Sequence, residues 1–323
     1  MHILVTGGAG YIGSVVVEQL VLAGHRVTVV DNLSTGKKSH VEPAAAFYEL
    51  NVGDVPAMGQ LLRTQKIDVL MHFAAFSLVG ESVADPDKYF QNNIINTLNL
   101  LHAMRGNACR KIIFSSTAAV YGNPETTPIE EQHPIRPINP YGLSKYTIEQ
   151  ALAWFGRAYG FKYNIFRYFN AAGATAHHGE DREVETHLIP LLIDTARGKR
   201  FSFTLFGNDY DTPDGSCIRD YIHVIDLARA HIRGIANLDK HPSAVYNLGT
   251  GRGYSNKEVI AMVKKVSGTD FKIDPGARRS GDPAVLVASA QKARDELGWQ
   301  PRHSGLEEIV QSAWEVVTTM NKK

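Results

Sequence analysis

The sequence predicts an α/β fold: a doubly wound parallel sheet with a smaller, interwoven C-terminal lobe. Three observations predict it. Short apolar strands alternate with helical patterns over the first 170 residues, which argues for a parallel sheet covered on both faces. A Gly7-x-x-Gly10-x-x-Gly13 turn stands between the first strand and the first helix. An acid, Asp31, ends the second strand.

Taken in order, residues 3–5 form an apolar strand, and a helical pattern runs from the glycine turn to about residue 23, stopped by Gly24. Residues 27–30 are a second buried strand, which closes a β-α-β unit. Further strands are expected at 69–73, 111–115 and 162–168, separated by helices at about 55–63, 86–105 and 140–159. Right-handed crossovers between parallel strands then wind the sheet in both directions. After Asn170 the rhythm changes. Residues 171–185 read as a polar loop, 186–197 as an amphipathic helix, 201–206 as a strand and 207–215 as turns. Helix 226–235, strand 245–248 and helix 257–266 follow; 289–297 precedes a stop at Gly298, and a last helix covers about 306–318. No repeat or linker is visible. The expected division is therefore 1–170 and 171–323, with a segment near 220–240 returning to the first unit.

Composition excludes several classes. Lys plus Arg is 34 and Asp plus Glu is 33 in 323 residues, so no bulk field favours nucleic acid or an anionic membrane. No apolar run reaches the length of a membrane span, and the N-terminus lacks a basic region ahead of an apolar run. Cys109 and Cys217 make no disulfide framework; two buried thiols in a reducing cytoplasm are expected. The adjacent His177 and His178 diverge, and no metal site is expected from the thirteen histidines.

The glycine turn lets the backbone approach a pyrophosphate, whose charge meets a helix N-terminus. Strand before and helix after supply the required context, that of the Rossmann fold. Asp31 lies about twenty residues on and suits the two ribose hydroxyls of an adenosine; it would repel a 2′-phosphate, so the cofactor is read as NAD.

Tyr141 and Lys145, four residues apart, share one helix face. A buried ammonium beside a phenol favours the phenolate. Tyr titrates near 10, so service as a base at neutral pH requires a depression of roughly three units, or about 4 kcal/mol.

With the G-x-x-G-x-x-G spacing, the pattern Ser115-Ser116-Thr117-Ala118-Ala119, then Tyr141 and Lys145, resembles the hydroxyl, Tyr, Lys triad of the extended short-chain dehydrogenase/reductase superfamily. The likeness runs nearly end to end: TGGAGYIGS at 6–14, DNLS at 31–34, HFAA at 72–75, VGES at 79–82, RYFN at 167–170, FGNDY at 206–210 and RDYIHV at 219–224. Together these are similar to the UDP-glucose 4-epimerases (UDP-galactose 4-epimerases). The resemblance implies that Tyr141 takes the proton of a sugar 4-hydroxyl and that the hydride on that carbon passes to the nicotinamide. Lys145 would lower the Tyr141 pKa and bind the nicotinamide ribose, and Thr117 would bridge the 4-oxygen. Return of the hydride to the other face of a 4-ketosugar completes the epimerisation. Cofactor contacts are implied at Gly7, Gly10, Tyr11, Ile12, Gly13, Asp31, Asn32, Asn51, Val52, Phe73, Ala74, Ala75, Asn92, Tyr141, Lys145 and Tyr168.

Related dehydratases place Asp-Glu directly after the triad Thr; Ala118 and Ala119 stand there here, so elimination lacks its acid and base. Uronate-forming dehydrogenases need a nucleophilic Cys, and neither Cys109 nor Cys217 lies in a matching motif. Other 4-epimerisations (of UDP-GlcNAc/GalNAc, UDP-xylose/arabinose or a uronate) and a non-catalytic NAD-binding regulator are the rival readings. The intact Thr117, Tyr141, Lys145 set disfavours the regulator.

A UDP-sugar brings a diphosphate, which calls for Arg donors. The resemblance implies Arg219 and Arg279 for that role, Asp282 on the uridine ribose, Phe206 near the uracil, and Asn170, His187, Leu188, Thr117 and Tyr141 as further substrate contacts. Three positions depart from many relatives: Asn51 for an Asp toward the adenine, Ser77 for a Lys, and Leu286 at a pocket wall that governs entry of N-acetylated sugars. The family also implies a homodimer through helices 86–105 and 140–159; Leu98, Leu101, Ile148 and Leu152 suit such a contact or the chain's own core.

Overall fold

The structure, a computed structural model, describes residues 1–279 and 282–320. Ser280 and Gly281, between Arg279 and Asp282, lie outside them. β1 (His2–Thr6), β2 (Arg26–Asp31), β3 (Ala46–Glu49), β4 (Val69–His72), β5 (Lys111–Thr117) and β6 (Lys162–Tyr168) form one parallel sheet with a seventh strand, Ser243–Leu248. The order is Ser243–Leu248, β6, β5, β4, β1, β2, β3. Strand order reverses between β1 and β4, which opens a crevice at the carboxyl ends of the strands. β1 is wholly buried, as expected for a central parallel strand.

Helices α1 (Tyr11–Leu22), α2 (Val55–Gln65), α3 (Val79–Ala84), α4 (Pro86–Tyr89), α5 (Asn96–Arg105), α6 (Pro140–Tyr159), α7 (Leu188–Ala196), α8 (Val224–Lys240), α9 (Asn256–Ser267), α10 (Gln291–Leu297) and α11 (Leu306–Met320) complete the fold. Val16 and Leu20 of α1 share one apolar cluster with Leu227 and Leu238 of α8. Leu61 of α2, Leu101 of α5 and Ile148 and Leu152 of α6 fill the other face. Leu101, Ile148 and Leu152 are thus intrachain core, and Leu98 packs against that cluster. A third cluster joins α7, α9 and α11 through Leu192, Val263 and Ile309. Among the described residues no helix is long and apolar enough to cross a membrane.

Several boundaries differ from the sequence expectation. β3 was not anticipated: its four residues are partly exposed at the sheet edge and too few for a periodic signal. The single helix expected at 86–105 is preceded by α3 and broken by a π-helical turn, Phe90–Ile95. Asn93 in that turn is held by Phe76 N at 2.9 Å and donates to Ser144 Oγ at 3.1 Å, contacts that a regular helix would not present in this way. The strand expected at 201–206 is Phe203–Phe206, and α8 is longer than 226–235 at both ends. Cys109 and Cys217 are buried and free.

Candidate active site

The glycine loop shows why these positions carry no side chain. Gly7 has φ +77°, and a Cβ there would lie 2.5 Å from Ala74 N; a Cβ on Gly13 would lie 2.1 Å from the Gly7 carbonyl. Gly10 is different: its nearest neighbour would be 3.4 Å away, so its bareness leaves room for an incoming group. Asp31 sits against the same loop and accepts from Ala9 N at 3.0 Å and Leu33 N at 2.9 Å. Burial raises its carboxyl pKa, opposed by those two N–H donors.

All sixteen residues expected to hold the cofactor line one cleft of about 560 Å³. It runs from Gly7, Gly10 and Asp31 to Tyr141, Lys145 and Tyr168. The residues present fit a dinucleotide: bare backbone at a helix N-terminus, an acid at the ribose position and an elongated cleft. The cleft has further walls that sequence reasoning missed, notably Leu33 to Lys37, Lys88 and Asp181 to Val184. The first stretch overlaps the DNLS motif at 31–34 and could have been suspected; the last lies far along the chain and carries no local signal.

Tyr141 stands in the first turn of α6, whose N-cap Asn139 accepts from Gly142 N at 2.8 Å. Lys145 is buried one turn on, donates to the Ser115 carbonyl at 2.8 Å and lies 5.0 Å from the Phe114 ring centre. Burial brings its ammonium down to about 7, while the Glu149 carboxylate resists that shift. Burial raises the Tyr141 phenol; the Thr117 side chain and the Arg182 charge pull it down. Thr117 ends β5 and also accepts from Ala119 N at 3.1 Å, capping the turn Ala118–Val120. Tyr168 bonds the buried His231 at 2.6 Å. His72 bonds the Thr6 and Thr97 hydroxyls at 2.7 and 2.9 Å.

Besides Thr117 and Tyr141, the residues expected to bind substrate fall into two groups. Asn170, His187 and Leu188 line a small cavity that shares Tyr11 with the large cleft. Phe206, Arg219, Arg279 and Asp282 gather outside both cavities as two pairs. Arg219 is bonded to Asp282, and the Arg279 guanidinium lies 4.2 Å from the Phe206 ring centre. Leu286, in register with Arg219, packs against the cluster containing Ala118 and Phe169.

Of the paired histidines, His178 is buried and His177 exposed. A cluster that sequence reasoning did not find is Glu180, Glu185 and His187, whose ligand-type atoms converge within 4.8 Å. His187 Nδ1 lies 2.8 Å from Glu185 and 3.0 Å from Glu180, and these acids raise its pKa. The cluster is an ion-pair network at the N-terminus of α7.

The chain matches the NAD dependent epimerase/dehydratase family over residues 3–249. It is 46% identical over 317 residues to the UDP-glucose 4-epimerase of Lacticaseibacillus casei, covering 97% of this chain and 96% of that protein. The crystal structure of UDP-glucose 4-epimerase from Brucella ovis in complex with NAD is 42% identical with a TM-score of 0.94, covering 97% of both chains. That of the Bifidobacterium longum enzyme in complex with NAD+ and UDP is 39% identical with a TM-score of 0.94, covering 99% of this chain and 98% of that one.

Proposed function

The chain belongs to the NAD dependent epimerase/dehydratase family, and we propose that within it the protein is an NAD-dependent UDP-glucose 4-epimerase. It interconverts UDP-galactose and UDP-glucose through a 4-keto sugar. Bound NAD supplies a hydride acceptor and, later, the hydride donor. The observation that supports this reading most is local. Tyr141 and Lys145 share one cleft with the glycine loop and Asp31, while Ala118 and Ala119 follow Thr117 where elimination would need acids.

In this reading the Tyr141 phenolate takes the 4-hydroxyl proton and Thr117 bridges the oxygen. Lys145 contributes positive charge and a donor for the nicotinamide ribose. Asp31 takes the adenosine ribose, and Gly7, Gly10 and Gly13 admit the pyrophosphate. Asn51 and Val52, with Tyr11, Ile12, Asn32, Phe73, Ala74, Ala75, Asn92 and Tyr168, wall the cofactor. Arg219 and Arg279 serve the UDP diphosphate, Asp282 the uridine ribose, and Phe206 the uracil. Asn170, His187 and Leu188 complete the sugar-diphosphate side. Residues 1–170 form the NAD-binding unit and 171–323 the UDP-sugar lobe, with 220–240 returning. The pairing of Ser243–Leu248 with β6 supports that interweaving. A cytoplasmic homodimer belongs to the same proposal. Free buried thiols and the exposed Ile95, Leu143 and Trp154 on or beside α5 and α6 support it.

The test is incubation of purified protein with UDP-galactose and identification of the product. UDP-glucose is expected, with NADH-like absorbance on the protein during turnover. A dehydrated product, or none, would sink the proposal. The bulk of Leu286 puts N-acetylated sugars second, so UDP-GalNAc is expected to turn over more than about tenfold slower than UDP-galactose.

A further inference from the structure

Residues 181–184 belong in sequence to the second lobe, yet they line the cofactor cleft. Side chains fasten them to two loops of the sheet. Lys37, in the loop after β2, donates from Nζ to Asp181 Oδ2, and His40 Nε2 lies 3.7 Å from the same oxygen. In the loop after β4, Ser77 Oγ accepts from Arg182 Nη1 at 3.2 Å. β2 and β4 flank β1 in the sheet, so these two loops stand on either side of the glycine loop that follows β1. Both attachment points are held. Lys37 N donates to the Ala9 carbonyl at 3.1 Å, and a Cβ on Gly36 would lie 2.9 Å from the Ala9 backbone. Phe76, next to Ser77, is bonded through its N–H and its carbonyl to Asn93, each at 2.9 Å. Between the fastenings, and among the described residues, 181–184 make no backbone–backbone hydrogen bond.

We propose that residues 181–184 are a strap across the cofactor cleft that sets how long NAD stays bound, with Lys37–Asp181 and Ser77–Arg182 as its two fastenings. The inference rests on the reading of this cleft as the NAD site. Opening the strap breaks side-chain bonds and leaves every backbone ladder intact, so it is a local opening that costs far less than unfolding the lobe. Its hinge side is better held: Glu180, with a buried side chain, accepts from Arg182 Nε at 2.8 Å and lies 3.0 Å from His187 Nδ1 at the start of α7. The Lys37 and Asp181 side chains are 44% and 51% exposed, so their pair adds little to global stability and is screened by salt. A different role for Lys37, direct pairing with a cofactor phosphate, would make Asp181 a competitor for the ammonium. The two roles give opposite signs when Asp181 loses its charge: the strap then opens more readily, whereas a phosphate-binding Lys37 would be freed to hold the cofactor more tightly.

The test is the release rate of the cofactor. Protein loaded with adenine-labelled NAD is chased with excess unlabelled NAD, and the retained label is counted after gel filtration. Asp181→Asn is expected to speed release about two- to fivefold, the range of an exposed ion pair. Lys37→Gln should do the same, and it carries the test alone if Asp181→Asn fails to fold. The exchanged pair, Lys37→Asp with Asp181→Lys, should bring release back toward wild type. Arg182→Gln removes the second fastening and, combined with Asp181→Asn, should speed release by about tenfold. Raising the ionic strength should speed release from wild type and barely change it in Asp181→Asn. Release that is unchanged or slower in Asp181→Asn overturns the proposal, and so does an exchanged pair that releases as fast as the single variants. Wild type is measured first. Failure to retain label there refutes the cofactor site itself, whereas a retentive wild type with unmoved variant rates refutes only the strap.

Discussion

Arg167 and Glu149 form a buried bidentate ion pair, Nη2 to Oε2 at 2.6 Å and Nε to Oε1 at 3.1 Å. It ties β6 to α6 one helical turn beyond Lys145. Ser116 donates to the same carboxylate, and Arg167 also donates to Tyr121 Oη at 2.9 Å. Removing one partner would strand the other charge in the core. Glu149→Gln is expected to lower unfolding free energy by about 3–5 kcal/mol in urea titration. It should also remove the carboxylate that supports the Lys145 ammonium, so the activity of folded variant should fall. A loss below about 1 kcal/mol would place the pair among weak surface bridges and contradict this.

Tyr141→Phe keeps the aromatic contact with Tyr89 and removes only the hydroxyl. NAD content and melting temperature are expected to stay close to wild type, while kcat falls by about 10²–10⁴. Near-full epimerase activity in this variant would show that the assigned base is wrong.

The glycine loop makes a paired prediction. Gly13→Ala forces a Cβ to within 2.1 Å of a backbone oxygen, where no side chain can yield. It should destabilise the protein by about 1–3 kcal/mol and abolish NAD retention. Gly10→Ala has space in the folded chain, with its nearest neighbour at 3.4 Å, so it should fold normally yet bind NAD poorly. Thermal melts with and without added NAD separate the two. Equal stability of both variants would contradict the distinction.

Acid sensitivity follows from two buried neutral histidines. Burial lowers His231 from 6.5 to about 4 and His72 to about 3, the Lys145 charge adding to the latter. The unfolded chain therefore binds more protons between these values and 6.5. Stability is fully present above pH 6.5 and is lost as pH falls toward 4, by about 3 kcal/mol for His231. His231→Gln should flatten the fall in melting temperature between neutral pH and about pH 5. An unchanged slope would mean that His231 is protonated in the folded protein.

Much of the nucleotide side of the site was legible because its determinants are local. The turn at Gly7 and Gly13, the acid at the end of β2 and the Tyr141–Lys145 spacing are each encoded within a few residues. What such spacing could not reveal was direction. Lys145 shares the right helix face, and only the fold shows that its ammonium meets the Ser115 carbonyl while the Thr117 side chain reaches the phenol. The π turn around Asn92 was hidden for a similar reason: its geometry depends on how Asn93 is captured by Phe76 and Ser144, not on residue periodicity.

By itself the sequence determined the β-α-β framework, the glycine turn between its first strand and helix, and the Tyr141–Lys145 spacing on one helix face, since backbone sterics and helical or strand period act over a few residues. Only the tertiary structure decided that Arg182 reaches Ser77 across 105 positions, that Glu149 is neutralised by Arg167, and that Leu101, Ile148 and Leu152 belong to the core. Such contacts are selected by the packing of whole elements, so no local pattern announces them.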